Sequence, residues 1–333
     1  MELPPEIIKR IIYFVNWSWY PAIYYVFYNI LDIPQPNLLQ LNKFLYCSAK
    51  SGNKQLCYLA KNLGAKNFNY YMIGAASKGG HEHICRLAKK WGATDFDLML
   101  YNAAKNGYEH LCYLAKKWRS TDFNSMLQGA TMGGYKHLCY LAKEWGATEF
   151  NYMLCNAAKQ GHEDLCRLAK EWGAYNFDLM LHYATKKGHE NICRLAKKWG
   201  ATKFNWMLYY ATQERHIKLC YLAKEWGATN FNRMLLAAAY KGYEDLCYLA
   251  KEWGANNFNR MLCEATQGNH EHLCRLAKEW GANNFNEMLC EATVTNNERL
   301  CRLAKEWGAT NFNVMFSLAK ERGFIHLCYL AKE

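Results

Sequence analysis

The sequence predicts an all-α fold, a solenoid of short helix-turn-helix repeats. Three observations carry this prediction. Eleven cysteines from Cys57 to Cys328 share one register, 28 residues apart between Cys57 and Cys85 and 27 apart from there onward. Nine tryptophans, each six residues after one of these cysteines, and ten phenylalanines from Phe68 to Phe312 repeat in step with them. Between these markers apolar residues recur at helical spacing and glycines stand where helices stop. A period of about 20 to 50 residues marks a stacked array, in which each unit buries its apolar face against its neighbours.

The 333 residues carry a net charge of +12, 51% hydrophobic content and 15% aromatics, which supplies enough apolar surface to offset the entropy of ordering and excludes a disordered chain. All five prolines lie at or before Pro36, so a boundary falls there: residues 1–36 form a separate hydrophobic segment and residues 37–333 the repeat array. Within the first segment, the uncharged stretch Ile11–Leu31 has the length of a membrane anchor. Asn16, Ser18, Pro21 and Asn29 interrupt it, and much of its bulk is Tyr and Trp, so the sequence favours a buried two-helix cap over a membrane span. From Asn37 the chain reads as a degenerate first pair, and the extra residue of the 28-residue interval lies near Tyr70 and Tyr71. The array predicts about eleven helix pairs.

Residues 231–257, FNRMLLAAAYKGYEDLCYLAKEWGANN, show one unit. A first helix is predicted from Asn232 to Tyr240 with Gly242 beyond its end. A second begins near Tyr243 and Glu244, places Leu246, Cys247, Leu249 and Ala250 on one face, and ends at Trp253 and Gly254. The tryptophan is expected to cover the seam to the following unit, the phenylalanine to plug the turn and the lysine to be solvated. In-register cysteines sit one repeat apart, about 8–10 Å in stacked helices, beyond the ~7 Å Cα separation a disulfide tolerates. They read as reduced core residues of a cytoplasmic protein. Arg119 and Ser120, Arg215, and Asn296 and Asn297 replace consensus turn residues, and lower local stability is expected there.

Leu154, Ala157, Ala158, Gly161, His162, Leu165, Cys166, Leu168, Gly173 and Ala174 follow in order the pattern of the ankyrin repeat, which the chain resembles over about 290 residues. Only four residues, as in Thr229 to Asn232, separate Gly-Ala from the next first helix, so the resemblance is to a shortened, ankyrin-like unit without the β-hairpin finger. The wording of the units is similar to repeat proteins encoded by giant DNA viruses of amoebae. LPPEIIKRIIYFV, with Leu3, Pro4, Glu6, Ile7, Ile11 and Val15, resembles the first helix of an F-box. That resemblance implies a Skp1-type ubiquitin-ligase subunit as a partner; the alternative is a hydrophobic cap closing the solenoid.

Comparison of the units with one another locates a candidate site. The positions 13, 16, 17, 20 and 21 residues after each cysteine change from unit to unit, and their spacing puts most of them on one face of the first helix. In ankyrin-type stacks that face lines the concave groove. Along it lie Tyr152, then His182, Tyr183, Trp206, Tyr209 and Tyr210, then Arg233, Arg260, Glu264, Glu287 and Glu291, an aromatic cluster beside arginine of the kind that dominates protein interfaces. Cys155, Cys263 and Cys290 fall on the same variable face and are expected to be more accessible than the core thiols.

The lysines from Lys61 to Lys332, one per unit, form a basic stripe that raises nucleic acid as a partner, but a glutamate directly follows seven of them and interleaves the charge. Glu82, Glu163, Glu190, Glu271 and Glu298 stand four residues before Arg86, Arg167, Arg194, Arg275 and Arg302, a helix-supporting arrangement. No phosphate-binding glycine loop, nucleophile elbow or zincin motif occurs. HEHIC at His81 and HEHLC at His270 place histidines at a turn and cysteine in the core, so no zinc site, cofactor or catalysis is expected. The expected function is a non-catalytic protein-protein interaction module, as a substrate adaptor for a host ubiquitin ligase. A structural scaffold of a viral particle or infected cell, and nucleic-acid binding through the lysine stripe, are the alternatives.

Overall fold

The computed structural model describes residues Asn37–Lys332; segment 1–36, with the F-box-like residues Leu3, Pro4, Glu6, Ile7, Ile11 and Val15, lies outside the described residues. Among these there are twenty-two α-helices and no strand, and the chain divides into two compact units at the Tyr175–Asn176 junction. The first unit holds α1 (Leu38–Lys50), α2 (Lys54–Asn62), α3 (Gly74–Gly79), α4 (Glu82–Lys90), α5 (Phe96–Lys105), α6 (Glu109–Lys117), α7 (Phe123–Gly133), α8 (Lys136–Glu144), α9 (Phe150–Gln160) and α10 (Glu163–Glu171). The second holds α11 (Phe177–Lys186), α12 (Glu190–Lys198), α13 (Phe204–Gln213), α14 (Ile217–Glu225), α15 (Phe231–Lys241) and α16 (Glu244–Glu252). It continues with α17 (Phe258–Gln267), α18 (Glu271–Glu279), α19 (Phe285–Val294), α20 (Glu298–Glu306), α21 (Phe312–Glu321) and α22 (Ile325–Leu330). In each unit an odd-numbered first helix packs on its even-numbered partner and on the next first helix, the neighbour-only pattern of a helical repeat solenoid. No described helix is long and apolar enough to cross a membrane.

Local chemistry explains the helix ends. Asn230 caps α15, its side chain accepting the backbone N–H of Arg233, and α15 starts at Phe231, one residue before the sequence places it. At the other end of each pair the motif Trp-Gly-Ala works as a unit. Trp253 is the C-cap of α16, Gly254 takes a left-handed φ of 107°, and the Ala255 N–H returns 2.9 Å to the Ala250 carbonyl while its methyl is buried. The register cysteines are buried from Cys57 to Cys301 beside the Leu-Leu-Ala face, and Cys328 is half-buried. The residue inserted near Tyr70 is absorbed in a π-helical turn, Asn69–Ile73, that runs directly into α3.

Two interactions join successive repeats, and one of them corrects the sequence reading. Each tryptophan meets its own unit's phenylalanine at ring-centroid distances of 5.2–5.7 Å, and within each compact unit the tryptophans reach back, not forward, to a lysine of the preceding repeat. Trp253 packs edge-on against Tyr221 at 5.2 Å, and the Lys224 ammonium stands 4.5 Å above its ring. The lysine is therefore exposed at its flank but engaged at its tip. Where arginine replaces that tyrosine, it bridges to the glutamate four residues earlier, as Arg194 to Glu190 at 2.8 Å, and all five anticipated pairs form.

The second interaction went unread in the sequence, although Phe is followed by Asn or Asp in every consensus unit. The Oδ1 atom of Asn232 accepts the backbone N–H groups of Asn256 (2.9 Å) and Asn257 (3.0 Å), fastening one turn to the next. Asn69, Asn124, Asn205, Asn259 and Asn286 repeat this clamp, and Asp97 and Asp178 make it with a carboxylate. Replacing Asn232 by Leu should cost about 1–3 kcal/mol by orphaning two N–H groups, whereas Asn232→Asp should be close to neutral. Denaturant unfolding of both variants checks this; equal losses would show that the oxygen is not what matters.

The departures from consensus keep the consensus backbone. Arg119, Arg215 and Asn296 adopt left-handed φ values of 73°, 56° and 57°, as does Asn269 at 60°. At Gly242 the left-handed turn is also tight, since a Cβ there would lie 2.6 Å from the His270 ring. Arg215 occupies the equivalent place and is held by its guanidinium over Tyr243 at 5.3 Å and by Asp245 at 3.1 Å. In the same repeat His216 Nε2 is buried without a hydrogen-bond partner. Ser120 donates its hydroxyl to Asp97, and Asn297 caps α20. Arg119 carries the left-handed strain with no ion-pair partner in the described chain, so Arg119→Gly should stabilise by about 1 kcal/mol. Arg215→Gly should gain less, because it loses Tyr243 and Asp245. A melting comparison reads both, and a destabilising Arg119→Gly would contradict the strain argument.

Candidate binding face on the first helices

The helical spacing that makes these repeats stack brings the sequence-selected residues of the second unit onto one face. Thirteen residues after each cysteine comes one side chain per first helix, and from α11 to α21 this row reads Leu179, Trp206, Arg233, Arg260, Glu287 and Val314. Leu179 is 38% exposed, Trp206 45% and Val314 44%. His182, Tyr183, Tyr209 and Tyr210 stand one turn further along α11 and α13, and all are half-buried.

These aromatics form a connected network. The His182 ring lies 4.2 Å from Tyr210 and 5.0 Å from Tyr183, edge-on in both cases. Trp206 stacks on Tyr210 at 6.0 Å with 22° between planes, and Tyr209 meets both Trp206 and Tyr210 edge-on. The Arg233 guanidinium sits 4.2 Å from the Trp206 and Tyr209 ring centres at once, and Lys186 lies 5.8 Å from Tyr210. The Tyr209 hydroxyl accepts a 2.7 Å hydrogen bond from Gln213. Partial burial, reinforced by the Lys186 charge, lowers the His182 pKa and favours its neutral form.

Beyond Arg233 the face changes sign. Arg260 pairs with Glu264 at 3.2 Å on its own helix and with Glu287 at 3.6 Å on α19, Asn284 donates to Glu287, and Glu291 stands one turn beyond on the same helix. Tyr152, 55% exposed, lies on α9 in the first unit.

Two readings of the variable face need correction. Cys155 and Cys263 are buried, at 7% and 0% exposure, and only Cys290 is half-exposed. Positions on the flank of the first helix press against the neighbouring first helix, so part of the variation serves packing. Gly129 shows this, since a Cβ there would lie 2.5 Å from the Tyr101 carbonyl on α5. The histidine-cysteine motifs are also engaged in structure: His81 and His83 bond the carbonyls of Lys50 and Gly52 of the preceding pair, and Cys85 is core. No group of three or more potential ligands among the described residues could hold a metal ion.

Compared with known proteins, the chain matches no family model and no curated protein. Its class is therefore defined by the fold itself, an all-α helical repeat array.

Burial pushes the register thiols up from the ordinary 9.0, to about 12 at Cys112 and Cys247 and to about 11 at Cys193 and Cys274. A folded-state pKa above the unfolded one means that the thiols stabilise the fold fully below pH 9 and lose that contribution as pH rises through their folded values. The Tm should therefore fall as the pH is raised from about 9 to 11, and a flat Tm would refute the burial argument. Over the same range Cys290, Cys47 and Cys328 should react with a thiol reagent before the rest.

Proposed function

We propose that this chain is a non-catalytic protein-binding module whose first-helix face in the second unit holds a partner. The observation that carries the reading is the connected set His182, Tyr183, Trp206, Tyr209, Tyr210 and Arg233, in which a large ring is exposed beside a stacked guanidinium. Aromatic rings with arginine supply contact area at low entropic cost and dominate interface energetics. The resemblance to ankyrin-type arrays, which bind partners on this face, supports the same reading. In its fuller form the chain is an F-box-like ankyrin repeat protein of a giant DNA virus, working in the reducing host cytoplasm. There the segment with Leu3, Ile7 and Ile11 docks a ubiquitin-ligase subunit while the repeat face presents a target. The lysine stripe is less suited to nucleic acid than its count suggests, because most of its ammonium tips are turned over an aromatic ring, as Lys251 is over Trp280 at 4.4 Å and Lys305 over Phe312 at 5.4 Å.

Affinity purification from host cells tests both parts. Proteins recovered by the full chain should fall about tenfold or more with Trp206→Ala and Tyr210→Ala combined, with Tm little changed. Substitution of Ile7 and Ile11 by Glu should release ligase subunits alone. Undiminished recovery by the double alanine variant would remove the face from the function.

A further inference from the structure

The charge order along the first-helix row carries a more specific inference, which rests on the protein-binding reading above. We propose that this face binds an extended peptide segment with an acidic side chain at Arg233 and a basic side chain five or six residues away, at Glu287 and Glu291.

Arg233 is unlike its neighbours. Arg194, Arg215, Arg260, Arg275, Arg299 and Arg302 of the second unit each pair with a carboxylate. Arg233 has no carboxylate partner among the described residues and stacks instead on Trp206 and Tyr209, at 4.2 Å from each. Its guanidinium face thus fills the place a ligand cation would take on these rings. Stacking leaves the N–H edge of a guanidinium free, and that edge is a fork matched to a carboxylate. Lys186, over Tyr210, adds positive charge on the same side, while His182 is held toward its neutral form. Asp178 and Glu214 each lie four residues from this cluster in sequence; Asp178 is occupied by the N–H groups of Thr202 and Lys203, and Glu214 is exposed at the end of α13.

Two first helices further on, the balance reverses. The single positive charge of Arg260 faces Glu264 and Glu287, and Glu291 follows one turn along α19. The row therefore runs from cationic-aromatic to net acidic. Stacked helices lie about 8–10 Å apart, so α15 and α19 are separated by about 16–20 Å. A strand-like peptide advances about 3.3 Å per residue and covers this in about five or six residues. An apolar or aromatic side chain beside the peptide's acid would meet Trp206, which is 45% exposed. A nucleic acid fits less well, since its phosphates would satisfy Arg233 and then meet Glu287 and Glu291.

Selection of a phage-displayed random dodecapeptide library on the full chain, followed by polarisation titration of the enriched peptides, tests the proposal. Enriched peptides should carry Asp or Glu with Lys or Arg five or six positions away. Arg233→Glu should weaken them about tenfold or more, and changing the peptide's acid to Lys should restore binding to that variant. Enrichment without this charge pattern, or binding indifferent to Arg233→Glu, overturns the proposal while leaving the protein-binding face in place. A library that enriches no better on the wild-type chain than on the Trp206→Ala, Tyr210→Ala variant overturns both.

Discussion

Everything in this fold depends on the seam at which one repeat closes the next. A pair of helices of about ten residues each cannot bury its own apolar stripe, so its stability resides in what the neighbour supplies. Here the neighbour supplies two different things. The Phe-Trp pair with the tyrosine and lysine of the preceding unit covers apolar surface, while the Asn or Asp oxygen gathers backbone N–H groups that the short turn would otherwise leave unpaired. One interaction is non-directional and tolerant of exchange; the other demands an acceptor at a fixed point. Tyrosine accordingly alternates with arginine at the first, and only asparagine or aspartate fills the second in the clamps described.

Because these interactions recur from repeat to repeat, the array can impose a backbone on residues that would not choose it. Arg119, Arg215, Asn269 and Asn296 take left-handed conformations, and a whole extra residue is folded into the helix at Asn69–Ile73 rather than extruded as a loop. The strain at Arg215 is offset by Tyr243 and Asp245, both from the following unit. Local strain of about 1–2 kcal/mol is small against the interfaces that hold it.

The same seams explain which side chains are left for binding. Second helices spend their apolar face on the core and their ends on the tryptophan seam. First helices touch one another along their flanks, where Gly129 and the buried Ala237 and Cys263 show that size is constrained. What remains is the row at the outer edge of each first helix, one position per repeat, with the half-buried turn behind it. There side chains vary freely in chemistry, and in the second unit they vary in an ordered way, from aromatic to cationic to acidic.

The sequence by itself determined the helix pairs, their stops, the core face and the membership of the aromatic cluster. Each of these follows from the 3.6-residue period and from glycine's backbone freedom, which are local properties repeated often enough to read. The tertiary structure decided what depends on contact between residues about one repeat apart. It turned the tryptophan toward the preceding unit, placed the lysine over its ring, gave the asparagine after phenylalanine its role and buried Cys155 and Cys263. It also showed Arg233 stacked and unpaired while Arg260 is neutralised, although the two arginines occupy the same position in consecutive repeats. The physical reason is that a repeat pattern fixes direction along one helix, whereas partner, distance and charge balance across a seam are set only when neighbouring helices meet.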